Sequence, residues 1–83
     1  MNLTATQMDE LVSQIAQSLV DRPQDVKVNA IESNHTMVLE LRVAKEDIGK
    51  VIGRQGRTAQ AMRTILAAIS ARIKKRTVLE IVE

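Results

Sequence analysis

The 83-residue sequence predicts a single α+β domain, residues 1–83, whose elements follow the order α-β-β-α-α-β. Three observations lead to this prediction: helical spacing of apolar residues in the first twenty positions, two alternating segments joined by a short turn, and a third alternating segment after two further helices. A connection through helices usually joins parallel strands, whereas a short turn joins antiparallel ones. We therefore expect a three-stranded mixed sheet with three helices on one face.

The first helix is predicted by one apolar stripe and by signals at both ends. Thr4 and Gln7 fit a capping box, and Pro23 follows the expected end of the helix. Apolar residues recur between these signals at spacings of three and four: Met8, Leu11, Val12, Ile15, Ala16 and Leu19. We assign this stripe to the core.

Two segments with period-two alternation predict an antiparallel hairpin. The turn-forming residues 32–36, ESNHT, separate them. The inward positions of the first segment are Val26, Val28 and Ala30, and those of the second are Met37, Leu39, Leu41 and Val43.

The second half of the chain predicts two helices and a final strand. Residues 44–52 form a short helix that ends at Gly53, and residues 57–75 form a longer one. Residues 76–83, RTVLEIVE, alternate as a strand. The predicted apolar faces of the helices are Ile48, Val51 and Ile52 in the first, and Met62, Leu66, Ile69 and Ile73, widened by Ala61, Ile65 and Ala68, in the second.

Composition argues against an enzyme. The chain has no cysteine, and its one histidine, His35, lies in the hairpin turn with no acid–base partner implied. The glycines fit neither a Walker A loop nor a dinucleotide-binding fingerprint. We therefore expect no catalytic residue, metal or cofactor. The absence of Phe, Tyr and Trp also argues against nucleic-acid modules that stack bases on aromatic side chains.

Charge is distributed unevenly along the chain. Residues 45–76 carry nine basic and two acidic side chains, whereas residues 1–44 carry three basic and six acidic ones. A basic segment of this kind attracts phosphate, although on charge alone an ordinary solvated helix face is the better explanation. No apolar run is long enough to span a bilayer and no signal peptide is recognisable, so we expect a cytoplasmic protein with no membrane partner.

The link between the two later helices is the most informative stretch. Residues 53–56 read GRQG, and a tight turn between helices explains one glycine or both. It does not explain the basic side chains of Arg54 and Arg57. The turn also leads into a helix N-terminus, where free N–H groups favour phosphate.

Residues 51–56, VIGRQG, resemble the Ile/Val-Ile-Gly-x-x-Gly signature of the KH domain. The element order resembles the bacterial type II KH arrangement over essentially the whole chain. Among KH proteins, the sequence is similar to the small stand-alone bacterial family called KhpA, for which GKVIGRQGRTAQAMRTIL (residues 49–66) looks characteristic.

This resemblance implies a non-enzymatic RNA-binding protein that clamps about four single-stranded nucleotides between the Gly-x-x-Gly loop and an aliphatic groove. An RNA-chaperone or post-transcriptional role is implied, as is a homodimer or a heterodimer with a larger KH-domain protein. The implied RNA-binding residues are Gly53, Arg54, Gln55 and Gly56 in the loop, Arg57 after it, Lys50, Val51 and Ile52 before it, and Leu41, Arg42 and Val43 in the groove.

One alternative from a different class stays open. The apolar surface near Val51 and Ile52, or the outer face of the sheet, would then serve mainly for self-association, with RNA contact incidental. Arg63 and the basic residues of the RIKKR segment at positions 72–76 either extend the RNA-binding surface or are ordinary solvated charges at helix ends.

Overall fold

The computed structural model describes the backbone of residues 5–82 and the side chains of residues 7–82. Short 3₁₀ turns at Pro23–Asp25, Lys45–Asp47 and Arg54–Gly56 connect its main elements. Those elements are α1 (Ala5–Leu19), β1 (Lys27–Glu32), β2 (Thr36–Arg42), α2 (Ile48–Ile52), α3 (Arg57–Ile73) and β3 (Arg76–Val82). The order confirms the predicted α-β-β-α-α-β arrangement.

The sheet has the predicted mixed topology with β2 in the centre. β1 and β2 are antiparallel, with Lys27 opposite Arg42, and β2 and β3 are parallel, with Thr36 opposite Arg76. The two strand directions follow from the connections, because the β1–β2 turn is short and the β2–β3 connection runs through α2 and α3. Consequently the loop between α2 and α3 lies at the Arg42 end of β2, and the end of α3 lies at the Thr36 end.

The core lies between one face of the sheet and the helices. Alternate residues of β2 are fully buried, namely Met37, Leu39 and Leu41. They pack with buried residues of all three helices and of β3: Met8, Val12, Ala16, Val51, Met62, Leu66 and Leu79. The core therefore fixes α2, a helix of only five residues, through Val51.

The helices differ from the predictions mainly at their ends and flanks. The residues before α2 form a 3₁₀ turn, and α3 ends at Ile73 because Lys74 adopts a left-handed conformation with φ 59°. Thr4 of the predicted capping box lies outside the described residues. Ala61, Ile65 and Ala68 were expected to widen the core face of α3, but they are exposed, Ile65 by 46%.

The sheet face opposite the helices is partly polar. Ile31, Val38 and Val78 lie side by side in one row, and the next row holds Asn29, Glu40 and Glu80. Within residues 5–82, no helix has the length and apolar character needed to cross a bilayer.

Candidate functional site

The loop between α2 and α3 has a backbone that depends on glycine. Gly53 ends α2 with φ 80° and ψ 170°, a region that is essentially restricted to glycine. Gly56 precedes α3 in the left-handed conformation with φ 73°. Gln55 is also left-handed, with φ 58° and ψ 25°, which is uncommon for a residue with a side chain. The turn is closed by a hydrogen bond of 3.1 Å from the Gly56 N–H to the Gly53 carbonyl.

The two glycines serve different purposes. A Cβ at Gly53 would overlap the Thr58 hydroxyl and lie 2.8 Å from the Thr58 backbone nitrogen, so this glycine lets the loop pack against the start of α3. A Cβ at Gly56 would meet no atom within 4 Å. The first glycine is therefore required by packing as well as by conformation, whereas the second leaves an open surface.

Three polar side chains of the loop region are exposed: those of Arg54, Gln55 and Arg57. No acidic side chain among the described residues forms an ion pair with either arginine. Ile52, the last residue of α2, is 37% exposed beside them. The loop thus presents two free cations and one aliphatic side chain on an open surface.

Lys50 is already occupied by two carboxylates. Its Nζ donates to Asp21 Oδ2 at 2.6 Å and to Asp47 Oδ1 at 3.3 Å. The hydrogen bond to Asp21, and after it the one to Asp47, raise the pKa of Lys50 above its ordinary value. Lys50 lies one helical turn before Gly53, but its charge is directed towards the connection between α1 and β1.

Asp47 anchors α2 to that same connection. Its side chain is only 1% exposed, and it accepts hydrogen bonds from the backbone N–H groups of Asp21 and Arg22 at 3.2 and 3.0 Å. Burial by itself raises the pKa of Asp47, but the two N–H groups and Lys50 outweigh it, so the pKa lies below its ordinary value. Asp47 is therefore an ionised carboxylate directly before the helix that leads into the loop.

Several residues that were assigned to the RNA site lie in the core. Leu41 and Val51 are 0% exposed and Val43 is 8% exposed, so all three belong to the core and line no surface groove. Arg42 is exposed, and alternation along β2 places it on the sheet face opposite the helices. Of the predicted set, residues 52–57 lie together at the loop and Lys50 lies beside it in its ion pairs. Val51, Leu41 and Val43 lie in the core, and Arg42 lies on the outer sheet face.

Arg63 and the basic residues among positions 72–76 lie away from the loop. Arg63 Nη2 donates to the Leu79 carbonyl of β3 at 3.3 Å. Residues 72–76 lie at the far end of α3, about 25 Å from the loop for a helix of 17 residues. Lys75 in this cluster pairs with Glu32.

Asp21, Asp47 and Thr58 were not recognised from the sequence. The spacing of three between Asp47 and Lys50 is a local signal for an ion pair on one helix face. The contacts between Asp47 and residues 21 and 22 have no local signal, because 25 or more positions separate the partners.

Known proteins of one family resemble this chain over nearly its whole length. The sequence profile of the family described as "KhpA/KhpB, KH domain" matches residues 9–81. The chain is 52% identical over 75 residues to the RNA-binding protein KhpA of Caldanaerobacter subterraneus subsp. tengcongensis. These 75 residues cover 90% of this chain and all of that protein. It is 51% identical over 75 residues to the RNA-binding protein KhpA of Clostridium perfringens, with the same coverage of both chains.

A similar protein from Aquifex aeolicus, also named RNA-binding protein KhpA, is 51% identical over 76 residues, or 92% of this chain and 96% of that protein. All three names describe an RNA-binding protein. With a matching family profile over nearly its whole length and relatives at about half identity, this chain belongs to the KhpA/KhpB KH-domain family.

Proposed function

We propose that this protein binds single-stranded RNA at the loop of residues 53–56. The observation that carries the proposal is the combination of an open surface at Gly56 with two exposed arginines, Arg54 and Arg57, that have no acidic partner among the described residues. RNA binding in the names of the relatives supports the same ligand.

The start of α3 adds to the attraction for phosphate. Gly56 occupies the N-cap position and has no side chain that could accept a hydrogen bond from the first-turn N–H groups. The Arg57 N–H already donates to the Arg54 carbonyl, so it is the other N–H groups of the first turn, with the positive end of the helix dipole, that favour an anion at this point. A phosphodiester that approaches Gly56 would therefore meet N–H groups and the side chains of Arg54 and Arg57.

The size and composition of the site suggest weak and unspecific binding. Ile52 is the exposed aliphatic residue beside the loop, and the chain has no aromatic side chain for base stacking. A KH domain grips about four nucleotides. We expect a dissociation constant in the micromolar range or weaker for one domain, which fits an RNA chaperone or post-transcriptional regulator in the cytoplasm rather than a reader of one unique sequence.

Single-stranded RNA should bind more tightly than duplex RNA of the same length. Unpaired bases can turn towards the aliphatic surface beside the loop, whereas paired bases are held inside the helix. Fluorescence anisotropy with a labelled unstructured RNA and its duplex should give at least a tenfold difference in dissociation constant. Equal or tighter binding of the duplex would contradict the proposed site.

Assembly is a second candidate function, and the exposed flank of α3 favours it. Ile65 is 46% exposed between the exposed small residues Ala61 and Ala68, which follow one another at helical spacing. Small residues on both sides of an apolar one allow a second helix to approach closely. We propose that this flank takes part in a homodimer, or in a heterodimer with a larger KH-domain protein. A second RNA site in the dimer would raise affinity through effective concentration.

Ile65→Glu should therefore shift the protein from dimer to monomer at tens of micromolar in sedimentation velocity, because a carboxylate would be buried in the interface. Ile31→Glu is the matched control, since Ile31 is a similarly exposed isoleucine, at 51%, on the outer sheet face. If Ile31→Glu dissociates the dimer and Ile65→Glu does not, the outer sheet face is the interface. A wild-type monomer that also recruits no KH partner would exclude assembly.

A further inference from the structure

Lys50 and Asp21 form a contact beside the proposed RNA site that serves no obvious packing purpose. The Asp21 side chain is 77% exposed and that of Lys50 is 42% exposed, with Nζ and Oδ2 only 2.6 Å apart. The buried Asp47 already accepts two backbone hydrogen bonds, so it does not depend on Lys50 alone. The exposed pair of Asp21 and Lys50 thus holds the Lys50 cation one helical turn before Gly53.

We infer that Asp21 competes with RNA phosphate for Lys50 and so limits the RNA affinity of the loop, an inference that rests on the proposed function. A lysine is a flexible point charge, and its ammonium can exchange one oxygen partner for another. While it stays with Asp21, its charge is neutralised locally and the loop acts through Arg54 and Arg57. When Asp21 is removed, only the longer contact to Asp47 Oδ1 at 3.3 Å holds Lys50, so its ammonium can turn towards the strand as a third cation.

Because the ion pair of Lys50 and Asp21 is exposed to solvent, a phosphate can reach it and compete for Lys50. Exposed ion pairs contribute little to stability, so a phosphate needs to overcome only a weak contact. The backbone N–H of residue 21, which donates to Asp47, does not depend on the side chain. Asp21→Asn should therefore keep the fold and the position of α2 while it removes only the competing carboxylate.

The test is a double-mutant cycle on RNA affinity. Asp21→Asn should bind a labelled single-stranded RNA roughly two- to fivefold more tightly than wild type at low salt. Its log–log dependence on salt concentration should become steeper by about 0.7, the value for one more phosphate contact on a single strand. In the Lys50→Gln background, the same Asp21→Asn change should give neither effect, because the lysine is absent.

Two controls separate this inference from simpler explanations. Glu10→Gln removes an exposed carboxylate in the first half of α1 and should leave affinity within twofold of wild type. Thermal unfolding of each variant checks that the fold is retained. An equal gain for Asp21→Asn with and without Lys50 would indicate a general charge effect and overturn the inference, and so would an unchanged affinity. Failure of the wild type itself to bind RNA would instead refute the proposed function.

Discussion

Replacement of Arg54 and Gln55 together by aspartate should reduce RNA affinity about 100-fold or more while the fold is retained. Two carboxylates would then face the phosphate that the loop is proposed to bind. A charge-assisted hydrogen bond contributes roughly 1.5–3 kcal/mol, and a factor of ten in affinity corresponds to about 1.4 kcal/mol. Loss of the contacts that Arg54 and Gln55 make with phosphate is therefore enough to explain a roughly 100-fold lower RNA affinity. Repulsion between the new carboxylates and the phosphate would add to this loss.

The loop itself should tolerate this change. Both side chains are exposed, and both glycines stay in place. Position 55 is left-handed with φ 58°, and aspartate is among the residues that adopt this conformation most readily. We expect the free energy of unfolding to change by no more than about 1 kcal/mol. Thermal unfolding and RNA titration at two salt concentrations measure both quantities.

A matched double variant at the other end of the molecule controls for net charge. Lys74→Asp with Asn34→Asp makes the same change in charge at two exposed positions, one of which, Lys74, is also left-handed. This variant should lose far less affinity than the loop variant. Equal losses would assign binding to overall charge rather than to the loop. Wild-type affinity in the loop variant would mean that residues 53–56 are only a turn.

The fold could be predicted from the sequence because burial here follows the period of each element. Met37, Leu39 and Leu41 are fully buried against the helices, whereas the residues that alternate with them along β2 are half-buried or exposed. The same alternation indicates that Leu41 cannot line a surface groove. Its assignment to the RNA site came from the family resemblance, which identifies a segment but does not distinguish the covered side chains from the exposed ones.

Two other features depend on tertiary structure and could not be predicted from local patterns. Ile65 fits the apolar face of α3 by spacing, but a three-stranded sheet gives this helix too narrow a surface to cover that flank. By its position, Asp47 lies in the first turn of the helix predicted over residues 44–52, where an acid favours the helix dipole. Its actual partners, Asp21 and Arg22, come from the connection between α1 and β1.

The buried carboxylate of Asp47 should have the largest effect on stability of any acidic residue in the described chain. Its two oxygens accept hydrogen bonds from two backbone N–H groups and from Lys50. In Asp47→Asn one of these oxygens becomes an NH₂ group that faces a donor, so at least one backbone N–H loses its partner at a part-buried position. We expect the melting temperature to fall by about 10 °C.

Asp25→Asn is the matched control for the fall in melting temperature expected of Asp47→Asn. Asp25 also pairs with a basic residue three positions away, Arg22, at 2.8 Å, but both side chains are largely exposed. An exposed ion pair contributes little to the free energy of unfolding, so the melting temperature of Asp25→Asn should fall by less than about 3 °C. Similar losses for the two variants would mean that burial of Asp47 is not what makes it important.

The stabilisation by Asp47 should also depend on pH in a defined direction. The pKa of this carboxyl is lower in the folded protein than its ordinary value, so the folded state favours the ionised form. Its contribution is then fully present above the pKa of the unfolded chain, about 3.9, and is lost as the pH falls through the lower folded value. Because Asp47→Asn cannot ionise, the difference in melting temperature between wild type and variant should be constant from about pH 7 to pH 5 and should narrow below about pH 4. A difference that stayed constant down to about pH 2.5 would show that the charge of Asp47 does not contribute, and that its hydrogen-bond geometry alone holds α2 and the loop in place.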